Sequence, residues 1–181
     1  MKKKIIFILA KAICCFVYFA NGNDDFIEHL LNIKINSNNT ISVKNIADNQ
    51  ILKGTFYGFV EELSDSKLNN SRIECDLLGR SYKGRGFSCG FAVIEDLQGY
   101  CYINTENNGS LITSWQCNTS AGINGDAFCL GKVNIVQGLG EFSGVAGFGK
   151  INMPLAKSFI DKKISIPMKL SLKVKYPLSL R

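Results

Sequence analysis

The sequence contains little histidine, tryptophan or proline, and its cysteines are not grouped in close pairs beyond residue 22. Of the 181 residues, one is His, one is Trp and three are Pro. The single histidine, His29, lies in a stretch without a clear pattern, which argues against Ser–His or Cys–His catalysis. Zinc motifs need close cysteine or histidine pairs, which are missing. The sequence therefore predicts no catalytic residue, no metal ligand and no cofactor.

A long uninterrupted apolar run is also missing at the N-terminus. Lysines at positions 2–4 precede a short apolar run, Lys11 interrupts it, and residues 12–20 are apolar again. This order is typical of a secretory signal peptide and is too short for a membrane span of about 20 apolar residues. We predict that residues 1–22 are a signal peptide cleaved after Gly22. An uncleaved anchor and a lipid-modified Cys14 or Cys15 are the alternatives.

This prediction changes the charge of the chain that remains. The whole sequence has 21 Lys and Arg and 15 Asp and Glu, a net charge of +6. Four of these lysines and no acidic residue lie in residues 1–22, which leaves residues 23–181 at +2. A nearly neutral domain gives no argument for nucleic-acid binding. We therefore expect a periplasmic or secreted protein that has no nucleic-acid partner and meets the membrane only through its signal peptide.

Residues 51–181 alternate between apolar and polar residues, with turn residues between the alternating segments. Several strands with short connections around one core indicate a barrel or a sandwich, and we predict an all-β domain, a single small antiparallel barrel of about eight strands. Residues 23–50 are predicted to be an irregular segment in which Asp24 and Asp25 cap a short helix and residues 41–46 form a strand, or else a semi-ordered arm. The predicted barrel strands are Ile51–Glu62, Ser71–Leu78, Gly84–Ile94, Gly99–Thr105, Leu111–Asn118, Asp126–Gln137, Phe142–Asn152 and Ile164–Tyr176.

The last predicted strand has one apolar face and one basic face. Lys169, Lys173 and Lys175 alternate with apolar residues such as Leu170 and Val174. Side chains of successive strand residues point to opposite sides of a sheet. We interpret the lysines as an ordinary solvated face rather than as a patch for an anionic ligand.

Five cysteines follow the predicted signal peptide, and each shares its strand face with apolar neighbours. They should therefore point toward the core, and an odd number leaves one thiol outside two intrachain bridges. A turn at residues 122–125 places Cys117 almost opposite Cys129, so we predict a disulfide between them. For the second bridge, Cys89 can pair with Cys101 or with Cys75. We favour Cys89–Cys101, with Cys75 free.

A glycine-rich stretch at residues 138–149 is the most distinctive motif. It does not match a dinucleotide-binding loop, because its glycine spacing differs and no helix follows. It predicts a tight turn at residues 138–140 that enters a glycine-rich, strongly curved strand. The pattern resembles the late hairpin of allene oxide cyclase and dirigent-type barrels, closest to exported bacterial members, in Gly138, Gly140, Phe142, Gly144 and Gly147. The resemblance implies an eight-stranded antiparallel barrel and a homo-oligomer, a trimer in the characterised branches, without carrying over an activity.

Two sets of residues remain as functional candidates. Glu74 and Asp76 share one strand face and would form a polar group if the barrel interior lay on their side, but solvent exposure is the better interpretation. The aromatic residues Phe87, Phe91 and Trp115 would line an apolar pocket, although plain core packing is the stronger expectation.

We predict non-catalytic binding of a small apolar ligand or a partner. The alternatives are an isomerase or cyclase acting on a hydrophobic substrate inside the barrel, and a structural or cell-surface assembly protein.

Overall fold

The computed structural model describes residues 26–35, 40–62, 67–82, 94–121, 127–154 and 167–177. In these ranges the regular structure is β-strand, apart from one short 3-10 turn at Gly140–Phe142, so the predicted all-β class is confirmed. The strands are β1 Ile27–Ile35, β2 Thr40–Ile46, β3 Asn49–Glu62, β4 Arg72–Tyr82, β5 Ile94–Asn104, β6 Ser110–Ala121, β7 Ala127–Leu139, β8 Ala146–Pro154 and β9 Pro167–Lys175.

Eight of these strands form a closed antiparallel barrel. Strands β3 to β9 follow one another around the barrel, and β1 closes it by pairing with β9 on one side and with β3 on the other. The ninth strand, β2, pairs with β3 beyond β1, so that β1 and β2 lie one after the other along one edge of β3. Closure satisfies the backbone hydrogen bonds that an open sheet would leave exposed at its edges.

The first barrel strand lies in the segment that we predicted to be irregular or helical. In β1, His29, Leu31, Ile33 and Ile35 are buried at every second position, whereas Leu30 is exposed. The apolar residues near position 30 fit a helical spacing equally well, which explains the wrong helix prediction. The segment forms a strand rather than a helix because it pairs with β3 on one side and with β9 on the other. The barrel therefore begins at residue 27 instead of residue 51.

A second difference concerns the strand predicted at Gly84–Ile94. Residues 83–93 lie outside the described residues, and β4 pairs directly with β5. The predicted number of eight barrel strands is confirmed among the described residues, where β1 is a barrel strand that the prediction does not contain. Strand β8 begins at Ala146 instead of Phe142, because the 3-10 turn and the residues after it form the connection.

Apolar side chains from all eight barrel strands fill the interior. Alternate residues of each strand point inward, as the two-residue period requires. The rings of Phe56 and Trp115 pack near its centre, with centroids 6.4 Å apart. Burying each large aliphatic or aromatic side chain contributes about 1.5–3 kcal/mol. The buried set includes Leu31, Ile33, Val60, Ile73, Leu97, Ile103, Leu111, Val133, Ile151, Met153, Met168, Leu170, Leu172 and Val174.

The glycine-rich connection between β7 and β8 turns Phe142 into one end of the barrel. Gly140 has a φ of +61°, which favours glycine, and Phe142 follows with 0% exposure. The N–H groups of Ser143 and Val145 donate to the carbonyl oxygens of Gly140 and Phe142, at 3.1 and 3.0 Å. The connection therefore extends to Val145, further than the tight turn predicted at residues 138–140, and it covers the core.

Two disulfides join neighbouring strands. Cys117 and Cys129 are bonded as predicted, with their Cα atoms 5.4 Å apart, but Cys129 lies opposite Thr119, so the bond runs diagonally. Cys75 is bonded to Cys101, which lies directly opposite it, with a Cα–Cα distance of 4.0 Å. The prediction of Cys89–Cys101 with Cys75 free is therefore wrong. Its error follows from the supposed strand between β4 and β5, and Cys89 itself lies outside the described residues.

Removal of either disulfide should lower the stability of the barrel. The chain-entropy relation gives about 3.5 kcal/mol for Cys75–Cys101, with a sequence separation of 26, and about 3 kcal/mol for Cys117–Cys129, with a separation of 12. Urea unfolding of Cys75→Ala/Cys101→Ala and of Cys117→Ala/Cys129→Ala measures these losses. Disulfide mapping of the oxidised parent should give a Cys75–Cys101 peptide and an alkylatable Cys89. A Cys89–Cys101 peptide would contradict the pairing.

Phe142→Ala should destabilise the protein by about 3–5 kcal/mol, because it opens a cavity at the end of the core. Phe148→Ala is the matched control, since Phe148 is 51% exposed on β8. We expect the control to change the free energy of unfolding by less than about 1 kcal/mol. Equal losses for the two variants would show that Phe142 does not close the core.

Candidate functional site

The described part of the barrel interior is a packed core. Trp115, predicted as a pocket residue, points inward and is 4% exposed, whereas the other two predicted pocket residues, Phe87 and Phe91, lie outside the described residues. Within the described ranges, the buried polar residues are His29, Ser71 and Thr113, and no buried carboxylate occurs. The interior that the structure describes therefore supplies apolar packing and no acid or base pair.

His29 is held at one end of this interior. It points inward from β1, and its Nε2 lies 3.3 Å from the hydroxyl of Tyr176, whose ring packs near Phe142. A buried histidine usually has a hydrogen-bond partner, and this contact supplies one. The arrangement agrees with a packing role for His29.

Glu74 and Asp76 point outward, because Cys75 between them points into the core. Two tyrosines, Tyr57 on β3 and Tyr102 on β5, lie directly opposite Glu74. Asp76 lies opposite Thr55 and Tyr100 in the same way. The carboxylates are thus flanked on both sides by exposed side chains of the neighbouring strands. We call this outer surface the tyrosine face, and it consists of Tyr57, Phe59, Glu74, Asp76, Tyr100 and Tyr102.

The aromatic rings of the tyrosine face are open to solvent. Tyr100 is 53% exposed and Tyr102 is 41% exposed, and Tyr57 and Phe59 have similar values. Large aromatic side chains with this exposure in one place are uncommon on a protein that acts alone, and they typically mark interaction sites. The tyrosine face is therefore the first candidate for a functional surface.

The centre of the tyrosine face is negatively charged. Within the described residues the ion pairs are Lys34–Glu61 and Arg80–Asp96, so neither Glu74 nor Asp76 takes part in one. Asp76 accepts a hydrogen bond of 2.7 Å from the Thr55 hydroxyl. The basic residues Arg72 and Lys53 border this surface on β4 and β3 without reaching ion-pair distance.

The negative charge of Glu74 and Asp76 changes the pKa of Tyr57. The charge of Glu74 is the largest cause that raises the pKa of Tyr57 above its usual value, followed by partial desolvation, a hydrogen bond to Glu74 and the charge of Asp76. A negative neighbour disfavours the tyrosinate anion, which gives the direction of the shift. The surface therefore favours cationic groups.

A groove of about 520 Å³ crosses the outer side of β4 to β7 beside the tyrosine face. Asp76 and Tyr100 lie at one end of it, and Lys132 and Asn134 at the other. Its lining combines apolar residues such as Leu78 and Trp115 with the polar side chains of Gln98, Ser114 and Gln116, which supply both donors and acceptors. The groove extends the tyrosine face with hydrogen-bonding groups.

The opposite side of the barrel is basic. Strands β7, β8 and β9 contain five lysines and no Asp or Glu. All five lysines are exposed, and none takes part in an ion pair among the described residues. We call this surface the lysine face, and it consists of Lys132, Lys150, Lys169, Lys173 and Lys175.

Two aromatic side chains, Phe26 and Phe148, lie beside the lysine face. Phe148 packs edge-on against Phe26, with ring centroids 5.5 Å apart. The Nζ atom of Lys175 lies 5.8 Å from the centroid of the Phe26 ring, within the range of a cation–π contact. This surface therefore already combines an ammonium group with an aromatic ring.

Sequence reasoning missed the tyrosine face because it treated the aromatic residues as one set. Trp115 is in the core as expected, together with Phe56 and Phe142, whereas Tyr57 and Tyr100 face solvent. The alternation of side chains along β5 could have revealed the tyrosine face. Tyr100 and Tyr102 are the neighbours in sequence of Cys101, which points inward, so both tyrosines must point outward. The preferred interpretation of Glu74 and Asp76 as solvent-facing agrees with the structure.

Comparison with protein-family models, with curated proteins and with solved structures finds no match to this chain. Within the described ranges, no helix is long and apolar enough to cross a membrane, and no group of three or more His, Cys, Asp or Glu is arranged to hold a metal ion. The two disulfides indicate an oxidising environment outside the cytoplasm.

Glu74→Gln should lower the pKa of Tyr57, because it removes the negative charge that contributes most to the raised value. The pKa should move down toward that of an ordinary tyrosine, and NMR titration of the labelled Tyr57 ring carbon next to the hydroxyl measures it. Glu61→Gln is the control, since Glu61 is paired with Lys34. An unchanged or higher pKa in Glu74→Gln would contradict the contact.

Proposed function

We propose that the protein is an exported, non-catalytic binding module whose tyrosine face docks a protein partner carrying basic side chains. The observation that carries the proposal is the cluster, on three adjacent strands, of four exposed aromatic rings around two carboxylates that form no ion pair with any described residue. Tyrosine is enriched among the residues that dominate binding energy at protein interfaces, because it has a large rigid surface and a polar tip. A basic partner would supply the charges that Glu74 and Asp76 lack.

The disulfide Cys75–Cys101 supports this proposal. Cys75 lies between Glu74 and Asp76, and Cys101 lies between Tyr100 and Tyr102. The bond therefore links the two strands that carry the centre of the tyrosine face, directly beneath it. A surface fixed in this way loses little conformational freedom on binding, which raises affinity.

The packing of the described interior favours a partner over a small apolar ligand. The side chains that would line an internal pocket, such as Trp115 and Phe56, contact each other in the core. No acidic pair lies inside the described interior to support isomerase or cyclase chemistry. The resemblance to allene oxide cyclase and dirigent-type barrels stays a prediction, because an eight-stranded barrel supports many functions.

Export is part of the same proposal. The disulfides fit the oxidising compartment to which a cleaved N-terminal leader would direct the chain. We propose cleavage after Gly22 and a periplasmic or secreted location. A rigid barrel with an exposed binding surface suits such a location, where disulfides remain oxidised.

Site-specific photo-crosslinking tests the tyrosine face. A photoreactive amino acid replaces Tyr100 in the exported protein, and Val43, which is exposed on β2, serves as the control position. We expect a protein adduct of defined mass at position 100 and none at position 43. The adduct should disappear in Glu74→Lys/Asp76→Lys, because like charges then face the basic partner.

Alanine variants measure how much a single side chain of the tyrosine face contributes to binding affinity. Tyr102→Ala should weaken binding of the captured partner about tenfold or more, as expected for an interface residue whose loss costs about 1.4 kcal/mol or more. Ile46→Ala on β2 is the control, because Ile46 lies outside both faces and has a similar exposure to that of Tyr102. Absence of an adduct at position 100, or equal adducts at both positions, would reject the tyrosine face as a binding surface.

A further inference from the structure

Charge is distributed unevenly around the barrel. Strands β7, β8 and β9 carry lysine as their only charged residue type, whereas the unpaired carboxylates Glu74 and Asp76 lie on β4. Strand β6 between these regions carries no charged residue. The three lysine-bearing strands carry five positive charges, whereas β4 and β5 together carry two arginines and four acidic residues, a net charge of −2. Such a molecule has an electrostatic dipole across the barrel.

The centres of the two faces lie on opposite sides of the molecule, and Lys132 on β7 lies between them, at the far end of the groove. In the order of strands around the closed barrel, β8 is four strands from β4 and β9 is four strands from β5. In a barrel of eight strands, a separation of four strands is half of the circumference. A second copy can therefore contact the tyrosine face with its lysine face while its own tyrosine face remains free.

The chemistry of the faces is complementary. The lysine face provides five ammonium groups and the tyrosine face two carboxylates beside aromatic side chains, and none of these seven charges is in an ion pair with another described residue. Ammonium groups bind both carboxylates and aromatic faces, as Lys175 already does with Phe26. The groove beside Asp76 is open enough to admit a lysine side chain.

We propose that the basic partner of the tyrosine face is the lysine face of a second copy of this chain. The inference rests on the proposed function of the tyrosine face and identifies its partner. Because the contact joins two different surfaces on opposite sides, it repeats from copy to copy and builds an open head-to-tail chain, not a closed trimer. The protein then acts as the subunit of an extracellular or periplasmic assembly.

A mixture of two variants, each altered on a different face, tests whether the tyrosine face of one copy binds the lysine face of another. Glu74→Lys/Asp76→Lys removes the acidic centre of the tyrosine face, and Lys150→Ala/Lys173→Ala weakens the lysine face. Lys44→Ala/Lys67→Ala removes the same charge outside both faces and is the control. Circular dichroism and thermal unfolding establish that each variant is folded. Sedimentation velocity at low salt, over a range of protein concentrations, gives the size of the complexes.

We expect the parent and the control variant to form complexes that grow with concentration and shrink as salt screens the charges. Each face variant alone should associate at least about tenfold more weakly. An equimolar mixture of the two face variants should form dimers and nothing larger. Only one intact tyrosine face and one intact lysine face can then meet in each pair.

Four results would overturn the inference. The first is a parent that stays monomeric, and the second is a closed trimer whose size does not grow with concentration. The third is association that needs Glu74 and Asp76 but not Lys150 and Lys173, which would indicate a symmetric contact of tyrosine faces. The fourth is a monomeric parent that binds vesicles of phosphatidylglycerol through its lysines, which would assign the lysine face to an anionic surface.

The crosslink at position 100 separates this inference from the proposed function. An adduct between two copies of the chain supports both proposals. An adduct with a different protein alone would reject self-assembly and keep the tyrosine face as a binding surface. The absence of any adduct would reject the proposed function and the inference together.

Discussion

Strand β1 closes the barrel by pairing with both β3 and β9, and the core and the outer surfaces both require this closure. Without β1, the strands from β3 to β9 would form an open curved sheet, with β9 unpaired at one edge and the second half of β3 unpaired at the other. Closure gives every barrel strand an inner and an outer side. The inner side then becomes a shared apolar core, and the outer side is free to carry charge and aromatic residues.

The same inside–outside alternation connects the core to the candidate binding surface. Cys75 and Cys101 point inward and form a covalent bond between β4 and β5, and their neighbours in sequence point outward into the tyrosine face. Stability and presentation of the surface therefore depend on the same two strands. The segregation of lysines onto β7, β8 and β9 is a second outer feature that closure places opposite the first. Neither surface requires chemistry inside the barrel.

The parts of the fold that depend on local patterns could be predicted, and the parts that depend on which strands become neighbours could not. The alternation in β9 and the glycine-rich connection before β8 were recognised from residue spacing alone. The disulfide Cys117–Cys129 followed from a short turn between its two strands, although the register differs by two residues. Cys75–Cys101 was missed because its prediction required knowing that β4 and β5 are adjacent. The outward direction of Tyr100 and Tyr102 could have been predicted from their position on either side of Cys101, but their proximity to Tyr57 depends on which strands are neighbours.

Local residue patterns were enough to establish the all-β class, the inward direction of Cys75, Cys101, Cys117 and Cys129, and the outward direction of Glu74 and Asp76. These properties depend only on the two-residue period of a strand, in which neighbouring side chains point to opposite sides of the sheet. Tertiary structure decided that residues 27–35 close the barrel, that Cys101 bonds Cys75, and that acidic and basic faces lie on opposite sides. These outcomes depend on contacts between residues far apart in the chain, because pairing among strands is selected by burial and closure of the whole barrel.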